Sequence, residues 1–416
     1  MSAPAHAETY LSRQPILDSR QDLVGYELSL RRPGRAPENA AALVCAAYAA
    51  LGVRGALGRH TAFLGIDAGF LREDAVEALP AESVVLQLSA DRAPEAETLE
   101  RCRALRERRY SLALAGYGGL DERTSPYLTR VDFIKIDVAG RSARQLLELA
   151  GPLARLPLKL LARGVASRED FDRCREAGFG YFQGYFFARP EVVSGRRLTA
   201  SQATLIRLIN LVAGDADTAR IEEGIKRDPA LAVNLLSIVN SVAYGFPRRI
   251  SSLRHAVAVL GRRQLRRWLH LLLMTPAGRA ADASRVPLLQ VAALRGRMME
   301  TLAGQLRPHD AAFAGQAFIA GLMSMMPAAL GLPMDEIFGQ IALEQEIVAA
   351  LASRQGTLGD LLSLIECYDA EDAEGCDRLL AGPLGAAIGR NSLNTCLMES
   401  LRWINAEGEE GRAASE

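Results

Sequence analysis

The stretch LARGVASREDFDRCREAGFGYFQGYFFARP, residues 161–190, carries a strand pattern ending in Ala162-Arg163-Gly164-Val165. A helix pattern follows, then a second strand leading to Phe182-Gln183-Gly184-Tyr185. In a metal-dependent barrel such a strand end would carry a carboxylate. Hard divalent cations need several oxygen ligands at short distances, and barrel sites are built at the C-terminal ends of strands. Arg163 stands there instead, and a guanidinium stays protonated. Within a few ångströms it repels a cation, or it pairs with a nearby acid. A second chemistry-bearing group is GRRQLRRW, residues 261–268, which sets Arg263, Arg266 and Arg267 on one helical face beside Trp268. It reads either as a surface for nucleic acid or an acidic partner, or as a solvated face balanced by acids elsewhere. Tyr244 and Phe246 lie in NSVAYGFPRRISSL, residues 240–253, a loop that either packs down or engages a partner. His309-Asp310 follows a proline and precedes a helix pattern, which makes Asp310 an N-cap. His255 and His270 lie on apolar helix patterns and read as core or surface histidines. The cysteines, at 45, 102, 174, 367, 376 and 396, form no Cys-x-x-Cys pair. They suit neither zinc nor a disulfide framework and read as reduced thiols of a cytoplasmic protein.

The elements that must position these groups fall into two halves. Residues 8–190 alternate short apolar strand patterns with helical ones, which argues for βαβ units and a largely parallel sheet, either open or closed into a barrel. The strand candidates lie at 23–31, 61–67, 83–89, 110–116, 131–137, 157–165 and 180–187, with helix-length segments at 38–52, 95–108, 140–151 and 167–177. YLSRQPILD precedes the first of these strands across only SRQD, so the opening pair is an antiparallel hairpin. From about residue 200 helical periodicity takes over, beginning with Leu205, Leu208, Ile209 and Val212 on one face. The boundary is placed in the polar stretch 189–201. The expected domains are 1–194 and 195–405, with a disordered tail over 406–416. Lys plus Arg equals Asp plus Glu at 49 each, a balance that argues against a chain-wide nucleic-acid footprint. Residues 311–334 carry no charge, but Pro327, Gln316 and Ser324 favour a buried helix with a break over a membrane span.

The first half resembles the EAL domain, a modified (β/α) barrel family that hydrolyses cyclic di-GMP. YELSLR (26–31), FIKID (133–137) and FQGYFFARP (182–190) carry the resemblance. It places Glu27 at the signature acid, Arg31 at the signature basic position, and Lys135, Asp137 and Gln183 at functional positions. The remaining positions where the family has metal-binding acids or amides fall at Gly65 (or Asp67 after a shift of two), Gln87, Ala90, Ala115, Gly116, Arg163 and Ala166. The second half looks like an HDOD domain, an all-helical module related to HD phosphohydrolases, on residues 225–269 and on AFIAGLMSMM and GTLGDLL. Ser324 and Met325 stand where a His-Asp dyad would lie. The fold expected is therefore an α/β modified (β/α) barrel, EAL-like, followed by an all-α HDOD helical domain.

Two carboxylates cannot hold a pair of cations, so the resemblance implies a catalytically inactive bacterial signalling or scaffold protein with no cofactor and no metal. In that expectation Glu27, Lys135, Asp137 and Gln183 are vestigial. Arg31 and Gln183 are candidate ligand contacts, and Arg263, Arg266, Arg267, Tyr244 and Phe246 a candidate interaction surface. The partners are signalling proteins, with cyclic di-GMP possible, nucleic acid disfavoured, no membrane, and a homodimer possible. The barrel segment is short for eight βα units, which points to a missing or reduced unit and an open side. The alternatives are a metal-independent cyclic di-GMP sensor and a residual phosphodiesterase.

Overall fold

The structure is a computed structural model that describes residues 10–31, 57–58, 60–188, 198–214, 216–240, 250, 252–275 and 286–413. The chain divides into two interleaved compact units. One holds Met1–Arg189, Cys367–Arg378 and Gly389–Met398; the other holds Pro190–Glu366, Leu379–Ile388 and Glu399–Glu416.

In the first unit eight strands close into a barrel in the order β1 to β8. They are β1 (Tyr10–Asp18), β2 (Leu23–Arg31), β3 (Thr61–Gly65), β4 (Val84–Ser89), β5 (Ser111–Ala115), β6 (Phe133–Asp137), β7 (Lys159–Arg163) and β8 (Tyr181–Gln183). β2 to β8 run parallel, and β1 is antiparallel to both of its neighbours, β2 and β8. The expected open side is thereby corrected. A tight hairpin supplies two strands without a crossover, so a short segment still closes the ring. Its turn is held by Asp18, whose Oδ1 accepts from the amides of Arg20 (2.8 Å) and Asp22 (2.9 Å).

Among the described residues the strands are followed by α1 (Ala68–Arg72), α2 (Ala96–Glu107), α3 (Ala143–Ala150) and α4 (Arg168–Glu176). The helix expected at 38–52 lies outside the described residues. Capping boxes at Ser142/Gln145 and Ser167/Asp170 fix the starts of α3 and α4, and hence the loops after β6 and β7. Inside the barrel, Ile16, Phe63, Val85, Ala113, Phe133 and Leu161 form one apolar layer. Phe133 meets Phe63 edge-on at 5.4 Å and Tyr181 at 5.3 Å. This layer closes the barrel beneath its C-terminal mouth.

The rest of the chain is helical: α5 (Ala200–Ala213), α6 (Thr218–Lys226), α7 (Pro229–Val239), α8 (Leu253–Leu273), α9 (Pro287–Leu306), α10 (Ala311–Met323), α11 (Met326–Leu330), α12 (Met334–Phe338), α13 (Gln345–Ser353), α14 (Gly356–Asp369), α15 (Ala373–Leu380) and α16 (Arg390–Ala413). In the second unit α9 and α10 pack backbone to backbone, because a Cβ on Gly321 would stand 2.8 Å from the Arg295 carbonyl. The apolar run 311–334 is broken before Pro327 into α10 and α11, and no described helix is long and apolar enough to cross a membrane. α16 continues to Ala413, through most of the expected tail, on a stretch rich in the helix formers Ala, Glu and Arg.

Candidate functional site

Side chains two residues apart on a strand share a face. One step toward the mouth from the apolar layer therefore defines the next inward set. It contains Gln14 (β1), Glu27 (β2), Gly65 (β3), Gln87 (β4), Ala115 (β5), Lys135 (β6), Arg163 (β7) and Gln183 (β8). Five of these meet in a single hydrogen-bonded cluster. Lys135 Nζ lies 2.8 Å from Glu27 Oε2 and donates to Gln87 Oε1 at 3.2 Å. Gln87 Nε2 donates to Glu27 Oε1 at 2.7 Å. Gln183 Nε2 donates to Glu27 Oε2 and to Gln14 Oε1, leaving Gln183 Oε1 buried without a partner.

Lys135 is 2 % exposed and the Glu27 side chain 20 %, so the pair is buried on its lysine side and reaches partial exposure on its carboxylate side. Burial alone would raise the Glu27 pKa. The Lys135 charge and the hydrogen bonds from Lys135, Gln87 and Gln183 outweigh it and bring it down to about 2. Burial pulls Lys135 below the ordinary lysine range, with Glu27 pulling the other way and Arg163 adding to the depression.

The other sequence candidates stand around this cluster. Asp137 is exposed at the end of β6, and its Oδ1 accepts from the Ala139 amide at 3.1 Å. Asp67 caps α1, accepting from the Phe70 amide at 2.6 Å. Arg163 is exposed and pairs with neither Glu27 nor Asp137 among the described residues. The pairing with a nearby acid expected as one role of Arg163 is made instead by Lys135, whose flexible stem reaches Glu27 from inside the barrel. Arg31 ends β2, and its side chain lies outside the described residues.

One contribution had no signal in the sequence. The C-terminal pieces of the first unit reach the start of β1, beside the mouth. Ser12 Oγ donates to Glu371, and the Tyr10 hydroxyl donates to Asp377, which Arg390 holds at 2.6 and 2.8 Å. The Leu11 amide donates to Asn394 Oδ1 at 2.8 Å. Glu371 is near enough to act electrostatically on Lys135. Gln14 and Gln87, in contrast, follow from the period-two alternation of their strands.

In the second unit Arg266 forms a bidentate pair with Glu344, both contacts at 2.9 Å. Arg267 pairs with Glu300 and lies 4.3 Å over the Phe318 ring. Arg263 is exposed. The three do share one helix face, while Trp268 is turned inward at 8 % exposed. Burial lowers the His270 pKa to about 4, so the ring is neutral. Asp310 caps α10, accepting from the Phe313 amide at 2.9 Å. Ser324 donates to the Gly321 carbonyl and accepts from Arg295 at 3.1 Å, with Met325 buried beside it. Tyr244 and Phe246 lie outside the described residues.

Two family profiles match successive parts of the chain. The profile of the EAL domain matches residues 68–190 and that of the HDOD domain residues 199–330. The cyclic di-GMP phosphodiesterase CdgJ of Vibrio cholerae is 29% identical over 408 residues, 95% of this chain and 92% of its own. The uncharacterised YuxH of Bacillus subtilis is 23% identical over 409 residues, 95% of this chain and 98% of its own. The calcium/cyclic di-GMP complex of BlrP1 from Klebsiella pneumoniae is similar at 21% identity and a TM-score of 0.37, covering 45% of this chain and 58% of that one. The expectation of a catalytically inactive, non-enzymatic scaffold is corrected by the first of these. That relative, aligned over 95% of this chain, is named as a cyclic di-GMP phosphodiesterase.

Proposed function

We propose that this chain, which carries an EAL domain followed by an HDOD domain, acts on cyclic di-GMP as a phosphodiesterase through the mouth of its barrel. The alignment with CdgJ through both domains carries this reading. The mouth adds chemistry that suits the ligand. Lys135 and Arg163 stand on adjacent strands, so two cations flank the place where a phosphodiester group would lie. A phosphate that draws the Lys135 ammonium away would release Glu27 and restore its basicity.

Phosphodiester hydrolysis of the EAL type draws on divalent cations. The described mouth does not fit a two-cation cage. Glu27 is saturated by Lys135, Gln87 and Gln183, and no group of three or more His, Cys, Asp or Glu among the described residues could hold a metal.

The test is product formation. Purified chain and cyclic di-GMP are incubated with Mn²⁺, with Mg²⁺ and with chelator, and the linear dinucleotide is quantified. Turnover that disappears in Glu27→Ala supports the reading, and no product under any condition overturns it. A second reading, metal-independent binding of cyclic di-GMP, is favoured by the Glu27–Lys135 pair. Calorimetry in chelator, with Arg31→Ala weakening the binding, separates the two. Cytoplasmic placement, a signalling-protein partner and self-association belong to the same proposal, with pull-down and sedimentation as tests of the last two.

A further inference from the structure

α8 is not one straight helix. Gly261 takes φ 72° and ψ 160°, a left-handed backbone that favours glycine, and a second helical segment starts after it. Arg262, Arg263, Arg266 and Arg267 then fall on one face and line a cavity of about 250 Å³ within the helical unit. The opposite wall is the first turns of α10, including Ala311, Ala312, Gly315 and Gln316. Four arginines and a single carboxylate, Glu344, line it, with the Arg262 guanidinium donating to the Gly214 and Ala216 carbonyls. Glu300, which holds Arg267, brings the acids to two and leaves an excess of two positive charges. Arg263 makes no ion pair or hydrogen bond among the described residues, and Arg267 Nε is buried without a partner. The α10 N-terminus adds its dipole to the same field, offset in part by its Asp310 cap.

We propose that this cavity binds a small phosphorylated ligand of mononucleotide size or smaller. Its volume lies below the roughly 300 Å³ at which pockets for drug-sized ligands begin. Its charge excess matches a phosphate monoester or pyrophosphate, and forked guanidinium donors suit phosphate oxygens. Arg266 and Arg267 are pre-oriented by their acids, and Arg263 is the arm that completes the site.

Pyrophosphate and GMP are titrated separately into the full chain by calorimetry, with wild type, Arg263→Glu and Gly315→Leu. A Cβ on Gly315 meets only Arg263 Cδ, at 3.9 Å, so the leucine grows into the cavity, and replacing a helix glycine favours folding. Gly315→Leu therefore keeps the test decisive if the charge reversal harms folding. Saturable binding of either probe, weakened roughly tenfold or more by each variant, with Gly315→Leu melting no lower than the wild type, is the expected result. No binding at millimolar probe, or binding that both variants leave intact, overturns the proposal. So does Arg263-dependent binding of an oligonucleotide by a chain that ignores both small probes.

Discussion

The barrel mouth and the arginine cavity of the helical unit both gather charge, and they use it in opposite ways. In the barrel, Lys135 and Glu27 neutralise one another in a layer where three glutamines satisfy most remaining donors and acceptors. In the helical unit two arginines are paired with acids while a third, Arg263, is left exposed. The comparison teaches that the count of charged residues at a site says little until each partner is known. Two acids at matched positions looked like the remains of a metal cage. One of them is half of a buried ion pair, and the other ends its strand in solvent.

The largest effect is expected from breaking the buried pair on one side. Lys135→Met leaves an uncompensated carboxylate and should cost about 3–5 kcal/mol of stability in chemical denaturation. Adding Glu27→Leu to it should recover most of that loss. If the double variant is no more stable than the single one, the pair is not the unit of the layer.

The same pair sets an acid limit. The Glu27 pKa is brought down from 4.5 to about 2, so its stabilisation is complete above about 4.5 and is lost as pH falls toward 2. Melting temperature followed across that window should fall in the wild type and stay flatter in Lys135→Met with Glu27→Leu. Equal acid profiles would remove Glu27 from the account.

A smaller effect is expected at Arg266–Glu344. The pair is bidentate, with side chains 18 % and 38 % exposed, and a double-mutant cycle should give about 1 kcal/mol. A coupling near zero would mean that Glu344 does not hold Arg266 in place. Of similar size, Asp310→Ala removes the cap of α10 and should cost about 1 kcal/mol without altering the barrel's acid profile.

Much of the fold was legible because each half has its own period. Strand alternation located eight strands, and the short link between the first two gave the hairpin. The barrel was expected from the resemblance, while the open side drawn from segment length was wrong, since length alone cannot show that β1 turns back to pair with β8. Of the site, Glu27, Lys135 and Gln183 were placed by motif, and the structure brings them together. Arg163 was given the wrong task, because the reach of Lys135 inside the barrel is a property of packing. Glu371 could not be found at all, since it meets Ser12 across a sequence separation of 359 residues. The expectation of an inactive scaffold is overturned by the relative, 29% identical over 408 residues, that is named a cyclic di-GMP phosphodiesterase.

The most direct test of the central claim is cyclic di-GMP titrated into the full chain and into Glu27→Gln, with the linear product measured in the same samples. The account expects saturable binding and conversion by the wild type, with conversion lost in the variant. Absence of product with the wild type would contradict it, and heat without product would leave only the binding reading.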